Sequence, residues 1–404
     1  MVFASYGLYV VLSSTLNLIL DLINWEYVLP WGQTVFWNKM SLYLLFQVEF
    51  TFLVLFFAFR YFCGPKSRLA FPRAADISVR KEFANILYVV CIGLVLLFMQ
   101  STAGIGEWIN NYSYTYLTKR EGHGLLNVII IVLGNIAVFL LGLQTMGAQK
   151  KLPLVLKTLI LCAFLSFIGG IKSRFIFLLI VYLSPYFLGL KFRLRIVFLL
   201  AVAFFVLLYF GTLLRTEFFY ASGPYFLEML IGYFNAYQLH DLIVVSRSPD
   251  LFQTVWQVGV KPLQILGLMP EDANFDISVM LTREFFPEQW DNERATQQWP
   301  LETELYLNYY GIYFSWIPLA LYAAVLGRLY LVAVVGRNYW LLLIYVMEFQ
   351  RIFSTLRGTL IPWETPIYIV QYLVIYFLCR YAVRRTTISP QSMNSSGNMK
   401  LSHS

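Results

Sequence analysis

The stretch of residues 214–304, which begins LRTEFFYASG (214–223) and ends QQWPLETE (297–304), decides how the chain is read. It is the one long interval without an apolar run of membrane length. It holds 13 acidic and five basic residues, a net charge of −8, while the whole chain carries +8. The sequence therefore predicts one acidic segment on the outer side of a membrane, with basic loops on the other side.

The composition outside this stretch is typical of a membrane protein. Of the 404 residues, 59% are hydrophobic and 13% are charged, whereas an average globular chain has roughly 25% charged residues. Apolar runs of about 20 residues recur, which is the length that a helix needs to cross the hydrocarbon layer. The expected fold is an all-α polytopic integral membrane protein with about ten transmembrane helices and one large periplasmic loop.

Ten spans are predicted, and positive charge gives their orientation. Their approximate limits are 4–23, 39–62, 83–101, 125–147, 152–170, 174–190, 195–213, 309–327, 338–356 and 366–383. Lysine and arginine follow every even-numbered span, as Lys150 and Lys151 follow the fourth, and this bias marks the cytoplasmic side. Both termini are then cytoplasmic. The first run lacks a basic flank and a cleavage site, so we expect it to be retained.

This reading divides the chain into four parts. Residues 1–213 hold spans one to seven, and residues 214–308 form the large outward loop, with a helix at 225–245 lying on the membrane surface. Residues 309–385 hold spans eight to ten, and the Ser- and Asn-rich tail 386–404 is expected to be disordered. The basic residues lie beside spans, which favours membrane topology over nucleic-acid binding.

Five cations stand out at or near the outward ends of spans. Lys172 and Arg174 lie in the turn between the fifth and sixth spans, and Arg215 lies where the seventh ends. Arg357 follows the ninth span, and Arg351 lies one to two turns deeper. Guanidinium groups match phosphate oxygens in a bidentate fork, so the set predicts a site for a membrane-held diphosphate. The alternative is contact with lipid headgroups.

Two acidic residues fall within predicted spans. Glu49 lies in the second span, and Glu348 lies in the ninth with Arg351 three residues later. A charge in the hydrocarbon layer is costly, so each must be paired or must line a cavity. The spacing of Glu348 and Arg351 allows an ion pair within one helix. A structural pair and a proton or substrate pathway both remain open.

The candidate general bases are Glu304, Glu217 and His240, and the sequence does not rank them. A base must reach the attacking hydroxyl group before its pKa matters. A solvated or helix-capping role is the alternative for each. The acidic pairs of the loop lack the cysteine or histidine partners of a metal centre, and no glycine-rich phosphate loop is found. No metal and no cofactor are therefore expected.

Several of these features resemble the O-antigen polymerase (Wzy) family. They are the ten spans, the Ser173–Arg174 pair at an outward turn, Arg215 at the start of one long outward loop, and the run ELYLNYYG (304–311) opening the next span. The resemblance covers the whole chain in topology but only these short pieces in sequence.

The resemblance implies a metal-independent, GT-C-like membrane glycosyltransferase of the bacterial inner membrane. Such an enzyme transfers a glycan from undecaprenyl diphosphate to another lipid-linked repeat unit on the periplasmic face. Arg174, Arg215 and Arg357 would hold the diphosphate. The implied partners are the undecaprenyl-diphosphate-linked oligosaccharide and membrane lipids, and a chain-length regulator is a further candidate; no nucleic acid is expected.

Two other functions remain as alternatives. Related O-antigen ligases carry a functional histidine in or after the large loop, whereas His240 lies well before the loop returns to the membrane, which counts against a ligase. A flippase or exporter of lipid-linked sugars would use Glu49, Glu348 and Arg351 in a central cavity, and it would need no large outward loop.

Overall fold

The computed structural model describes the following residues: 42–64, 77–119, 122–169, 172–187, 236–252, 255, 258, 260–265, 268–270, 276–293, 296–297, 299–336, 338–355, 359–362 and 364–385. Within these ranges the chain is mostly helical. It divides into two compact units. The first comprises Met1–Pro65, Lys191–Tyr330 and Glu348–Val370, and the second comprises Lys66–Leu190, Leu331–Met347 and Gln371–Ser404.

The described elements follow one another along the chain as α1 (Leu42–Cys63), β1 (Ile77–Val79), α2 (Lys81–Thr102), α3 (Ile105–Asn110), α4 (Tyr112–Thr118), α5 (Gly124–Gly147), α6 (Leu152–Ile168), α7 (Lys172–Phe187), α8 (Ala236–Ser246), α9 (Val260–Ile265), α10 (Ile277–Phe285), α11 (Pro287–Glu293), α12 (Leu301–Tyr309), α13 (Trp316–Tyr330), α14 (Tyr339–Thr355), α15 (Thr365–Ala382) and β2 (Val383–Arg385). A π-helical turn, Leu331–Val335, continues α13.

Four of these helices are long and apolar enough to cross a membrane: Leu45–Cys63, Lys81–Thr102, Gly124–Gly147 and Trp316–Val335. Leu152–Ile168 and Arg174–Tyr186 are shorter apolar helices. The chain is thus a helical protein with several segments suited to a membrane. The predicted spans 4–23 and 195–213 lie outside the described residues, so the number ten stays a prediction.

The predicted start of the eighth span, at residue 309, is wrong. Helix α12 ends at Tyr309, and the next helix begins only at Trp316. Tyr310 and Gly311 have φ angles of 51° and 59°, which lie in the left-handed region that ends helices. The turn at 310–315 (YGIYFS) is largely aromatic and apolar and leads directly into α13, so the sequence shows no polar boundary where the helix begins.

A small antiparallel ribbon joins β1 to β2 in the second unit. Ile77 pairs with Arg385, and Val79 pairs with Val383. Beside the ribbon, the guanidinium carbon of Arg80 lies 4.1 Å from the ring centre of Tyr381, a favourable cation–π contact. The sequence did not predict this ribbon, because three-residue strands so far apart in the chain leave no local pattern.

Helix α5 forms the centre of the second unit, with α6 and α7 packed against it. Its residues from Gly134 to Leu143 are all buried. A Cβ atom on Gly142 would lie 2.3 Å from the backbone oxygen of Tyr182, and one on Gly134 would lie 2.7 Å from the side chain of Leu165. Glycine at these two positions therefore allows α6 and α7 to approach α5 closely.

Helix α12 is the centre of the first unit, and all nine of its residues are buried. Leu301, Leu305 and Tyr309 pack with Val48 of α1 and Leu319 of α13. Tyr306 and Leu307 pack with a second cluster, which contains Leu239, Ile243, Ile277 and Leu281. The described part of the predicted surface helix, α8, thus contributes Leu239 and Ile243 to the protein core; residues 225–235 lie outside the described ranges.

Candidate functional site

Arg174 lies in the first turn of α7 and extends along the neighbouring helices of the second unit. Its Nη2 donates a hydrogen bond to Oδ1 of Asn135 in α5, with a donor–acceptor distance of 2.9 Å. A Cβ atom on Gly169 would lie 3.0 Å from Cγ of Arg174, so the glycine leaves room for this side chain. The guanidinium carbon also lies 5.4 Å from the ring centre of Phe177.

These contacts place the guanidinium group deep beside α5. Asn135 is near the middle of this 24-residue helix, about 16–18 Å from either end at 1.5 Å per residue. Only residues 148–151 separate α5 from α6, so α6 starts near the level where α5 ends. Because α6 has 17 residues and is roughly 25 Å long, its last residue, Ile168, falls short of the far end of the longer helix α5.

The described side chains that interact with the Arg174 guanidinium group are neutral. Its hydrogen-bond acceptor is an amide oxygen, and the Cys162 thiol is its electrostatic neighbour. No carboxylate among the described residues lies within salt-bridge distance of it. A cation removed from water is costly unless an anion or a polar partner compensates it. This arrangement therefore leaves a positive charge that can bind an anion.

Arg351 has a different environment, in the first unit. Its Nε lies 3.3 Å from Oε2 of Glu348 within the same helix, α14, although this N–H is not aligned for a hydrogen bond. The guanidinium carbon lies 5.9 Å from the ring centre of Tyr322 and 5.5 Å from that of Tyr368. The carboxylate compensates the charge of Arg351, so the geometry favours a structural ion pair over a diphosphate ligand.

His240 is fully buried in the first unit, and both ring nitrogens have partners. Nδ1 lies 3.1 Å from the Thr303 hydroxyl, and Nε2 lies 3.0 Å from Oε1 of Gln47. The Gln47 amide nitrogen donates to the backbone oxygen of Glu302, so its oxygen must accept from Nε2–H of His240. Nδ1 then accepts from Thr303. Burial lowers the pKa of His240 to about 3, and the neutral ring bridges α1, α8 and α12.

Glu304 is a buried carboxyl group in α12, outside the candidate membrane spans. It accepts hydrogen bonds from the backbone N–H groups of Leu360 and Ile361. Burial raises its pKa to about 8, while these two hydrogen bonds act in the opposite direction. A pKa near neutrality suits a general base. The same carboxyl group also holds the backbone at residues 360–361 in place.

The other predicted site residues are not described by the structure. Arg215, Glu217 and Arg357 lie outside the described ranges, as does the side chain of Lys172, whose backbone starts α7. Of the predicted anion ligands, the structure therefore describes Arg174 and Arg351, and it gives them different partners. The gathering of Arg174, Arg215 and Arg357 in one site stays a prediction.

Asn135, Gln47 and Thr303 are site residues that sequence reasoning missed. Asn135 had a detectable signal, because it is an isolated amide within the apolar run VIIIVLGNIAVFLLG (128–142). An amide within a membrane span needs a hydrogen-bond partner, which often lies on another helix. The partners of Gln47 and Thr303 follow only from how distant helices pack.

Models of known protein families, curated proteins and solved structures were compared with the chain, and none matches it. The resemblance to O-antigen polymerases therefore stays a prediction. Any functional assignment depends on the residues of the chain and on their surroundings.

Proposed function

We propose that this protein is a polysaccharide repeat-unit polymerase of the bacterial inner membrane, a multi-pass glycosyltransferase acting at the periplasmic face. It would transfer a growing glycan from undecaprenyl diphosphate to a hydroxyl group of another lipid-linked repeat unit. A new bond forms between the anomeric carbon and the acceptor oxygen. The bond from that carbon to the diphosphate breaks, the lipid diphosphate leaves, and a base receives the acceptor proton.

The observation that supports this proposal is the environment of Arg174. Its guanidinium group lies beside the middle of a membrane-length helix and bonds a neutral amide. No described carboxylate pairs with it. A departing diphosphate develops negative charge, and a fixed cation stabilises that charge in the transition state. In this proposal Arg215, Arg357 and Lys172 act with Arg174, whereas Arg351 stabilises the fold through Glu348.

Of the two described candidate bases, Glu304 has the pKa closer to neutrality, but both side chains are buried, so reach to the acceptor hydroxyl does not separate them. His240 is neutral, and its only lone pair accepts from Thr303 in the described geometry. Glu304 has a pKa near neutrality, and Glu217 is the remaining candidate. The acidic loop, with Trp256 and Trp290, suits neutral or amino sugars, because aromatic rings stack on sugars and carboxylates accept their hydrogen bonds; Trp299 is fully buried in the core and takes no part.

The test replaces Arg174, Arg215 and Arg357 singly with alanine in a deletion strain and separates the surface polysaccharide on a gel. We expect each variant to yield single repeat units and to lose the long ladders. Lys151→Ala is the control, because this exposed lysine follows the fourth predicted span on the predicted cytoplasmic side; it should give normal ladders. Full-length ladders from all three site variants would contradict the proposal.

The deletion strain separates the alternative functions. Single repeat units on the outer lipid support a polymerase, since export continues without it. Absence of any exported unit supports a transporter. Polymer that accumulates on its carrier lipid supports a ligase.

A further inference from the structure

A buried hydroxyl group lies on the face of α6 that Arg174 contacts. Cys162, Ser166 and Gly169 share one face of α6, because they are spaced four and three residues apart. Arg174 interacts with Cys162 and packs against Gly169, the residues on either side of Ser166 on this face. Ser166 is only 2% exposed, and its hydroxyl has no hydrogen-bond partner among the described residues.

This missing partner is unusual for a hydroxyl group in a helix. Thr158 of the same helix donates to the backbone oxygen of Leu154 at 2.8 Å, and Ser184 of α7 donates to Val181 at 2.8 Å. Such bonds to the preceding turn satisfy hydroxyl groups in apolar surroundings. A buried hydroxyl group without such a hydrogen bond has lost its bonds to water and has formed none in the protein to replace them. Ser166 is therefore poised to donate to a group that is not among the described residues.

Asn135 fixes the position of the guanidinium group without neutralising it. Arginine only donates hydrogen bonds, so Oδ1 of Asn135 must face it. The amide nitrogen lies 3.6 Å from Sδ of Met347, a weak acceptor. An aspartate at position 135 could accept the same hydrogen bond, but it would compensate the charge of Arg174. The neutral amide thus orients the cation and preserves its charge.

We infer that Asn135 is a positioning residue, which holds the Arg174 guanidinium beside the Ser166 hydroxyl so that both donate to one phosphate oxyanion. A guanidinium group and a hydroxyl group together match the acceptor oxygens of a phosphate. The inference rests on the proposed function in one respect, since it takes the anion to be the diphosphate of the lipid-linked donor. It adds Asn135 and Ser166 to the site.

The experiment measures binding of farnesyl diphosphate to the full-length protein in nanodiscs of zwitterionic phospholipid, by titration calorimetry. Asn135→Leu, Asn135→Asp and Ser166→Ala should each bind roughly 10- to 100-fold more weakly, as expected for loss of a hydrogen bond to a charged group. Asn127→Leu on α5 and Ser184→Ala on α7 are the matched controls. Both should bind like the unaltered protein.

Asn135→Asp separates positioning from a purely structural role. Aspartate keeps the contact with Arg174 and converts it into an ion pair. If the contact only holds helices together, this variant keeps both its thermal unfolding midpoint and its affinity for the diphosphate. We expect the midpoint to be kept and the affinity to be lost. Unchanged affinity in Asn135→Asp and Ser166→Ala would overturn the inference.

Two further comparisons identify the anion and separate this inference from the proposed function. Phosphatidylglycerol in the nanodisc should compete weakly; if it abolishes diphosphate binding at equal amounts, the site binds phospholipid headgroups and the inference fails. Loss of binding with intact polysaccharide ladders would support the site and contradict the polymerase. Unchanged binding, with ladders lost only in Arg174→Ala, would support the polymerase and contradict the added residues.

Discussion

The surroundings of the Glu304 carboxyl group disfavour its charged form. It is 2% exposed, and its pKa is raised by burial to about 8 from an ordinary value of 4.5. The backbone N–H groups of Leu360 and Ile361 favour the charged form, but they do not balance the lost contact with water. The protein therefore holds a proton at Glu304 at pH values where the unfolded chain has released it.

This difference predicts how stability depends on pH. Between about pH 4.5 and 8 the folded state binds more protons than the unfolded state, so stability falls as pH rises through this window, on the order of 1 kcal/mol per pH unit. Glu304→Gln removes the titrating group, and its thermal unfolding midpoint should vary less between pH 5 and 8. The measurement is thermal unfolding of the purified protein at several pH values.

Glu288→Gln is the matched control for this measurement, because Glu288 is an exposed carboxyl group of the same unit. It should retain the pH dependence of the unaltered protein. If the unfolding midpoint of Glu304→Gln fell with pH as steeply as that of the unaltered protein, Glu304 would not titrate in this window.

Individual residues show which features of the site could be predicted from the sequence and which could not. Arg174 and Glu304 were identified because a charge beside an apolar run is visible locally. The partner of Arg174 is 39 positions away, and one partner of His240 is 193 positions away. Such pairs arise only when helices pack. His240 was a candidate base by residue type alone, and its burial could not be read from neighbouring residues.

In helix α5, a glycine allows close contact with the neighbouring helix α7. A Cβ atom on Gly142 would lie 2.3 Å from the carbonyl oxygen of Tyr182, a contact that real side chains do not make. Since the opposing atom belongs to the backbone of α7, relief requires α5 and α7 to separate. Arg174 reaches Asn135 across the same pair of helices, so their separation would also affect the anion site.

We therefore predict that Gly142→Ala destabilises the protein by about 1–3 kcal/mol, the usual cost of overpacking. Gly93→Ala on α2 is the matched control, because nothing lies within 4 Å of its added Cβ atom. Alanine favours helix more than glycine does, so this control should be neutral or slightly stabilising. Thermal unfolding of both variants provides the measurement, and equal midpoints would contradict the close approach.

The helices differ in how well their limits followed from the sequence. For α2 and α5 the predicted limits, 83–101 and 125–147, agree with the structure to within two residues. Their apolar runs end at polar residues, so the signal is local. For the eighth span the predicted start, residue 309, is the last residue of α12, and the span-length helix begins at Trp316, because the aromatic and apolar turn between the two helices gives no polar boundary.

The distribution of charge over the whole chain predicts how the spans are oriented in the membrane. The acidic stretch is expected on the opposite side of the predicted spans from the basic loops, because basic loops mark the cytoplasm. Composition is sufficient to indicate helices suited to a membrane, and the structure describes four of them. Orientation is a separate property, because it depends on charges in the loops and leaves no trace in helix packing.

Cysteine labelling tests this orientation. Gln149 is exposed between α5 and α6, and Tyr313 is 71% exposed between α12 and α13. A membrane-impermeant maleimide should label Tyr313→Cys in spheroplasts and should label Gln149→Cys only after permeabilisation. Cys91, Cys162 and Cys379 are buried, whereas Cys63 is half-buried, so both variants are made in a Cys63→Ser background, and that background alone is the control.

The reverse labelling pattern would have a consequence for the site itself. Gln149 marks the end of α5 at which α6 begins, and the turn that leads to Arg174 lies toward the opposite end of α5. If residue 149 were labelled from outside, the shorter α6–α7 hairpin would leave Arg174 accessible from the cytoplasm. A glycosyl donor presented at the periplasmic face could not then reach that cation, and the proposed polymerase would lose the group that holds its diphosphate.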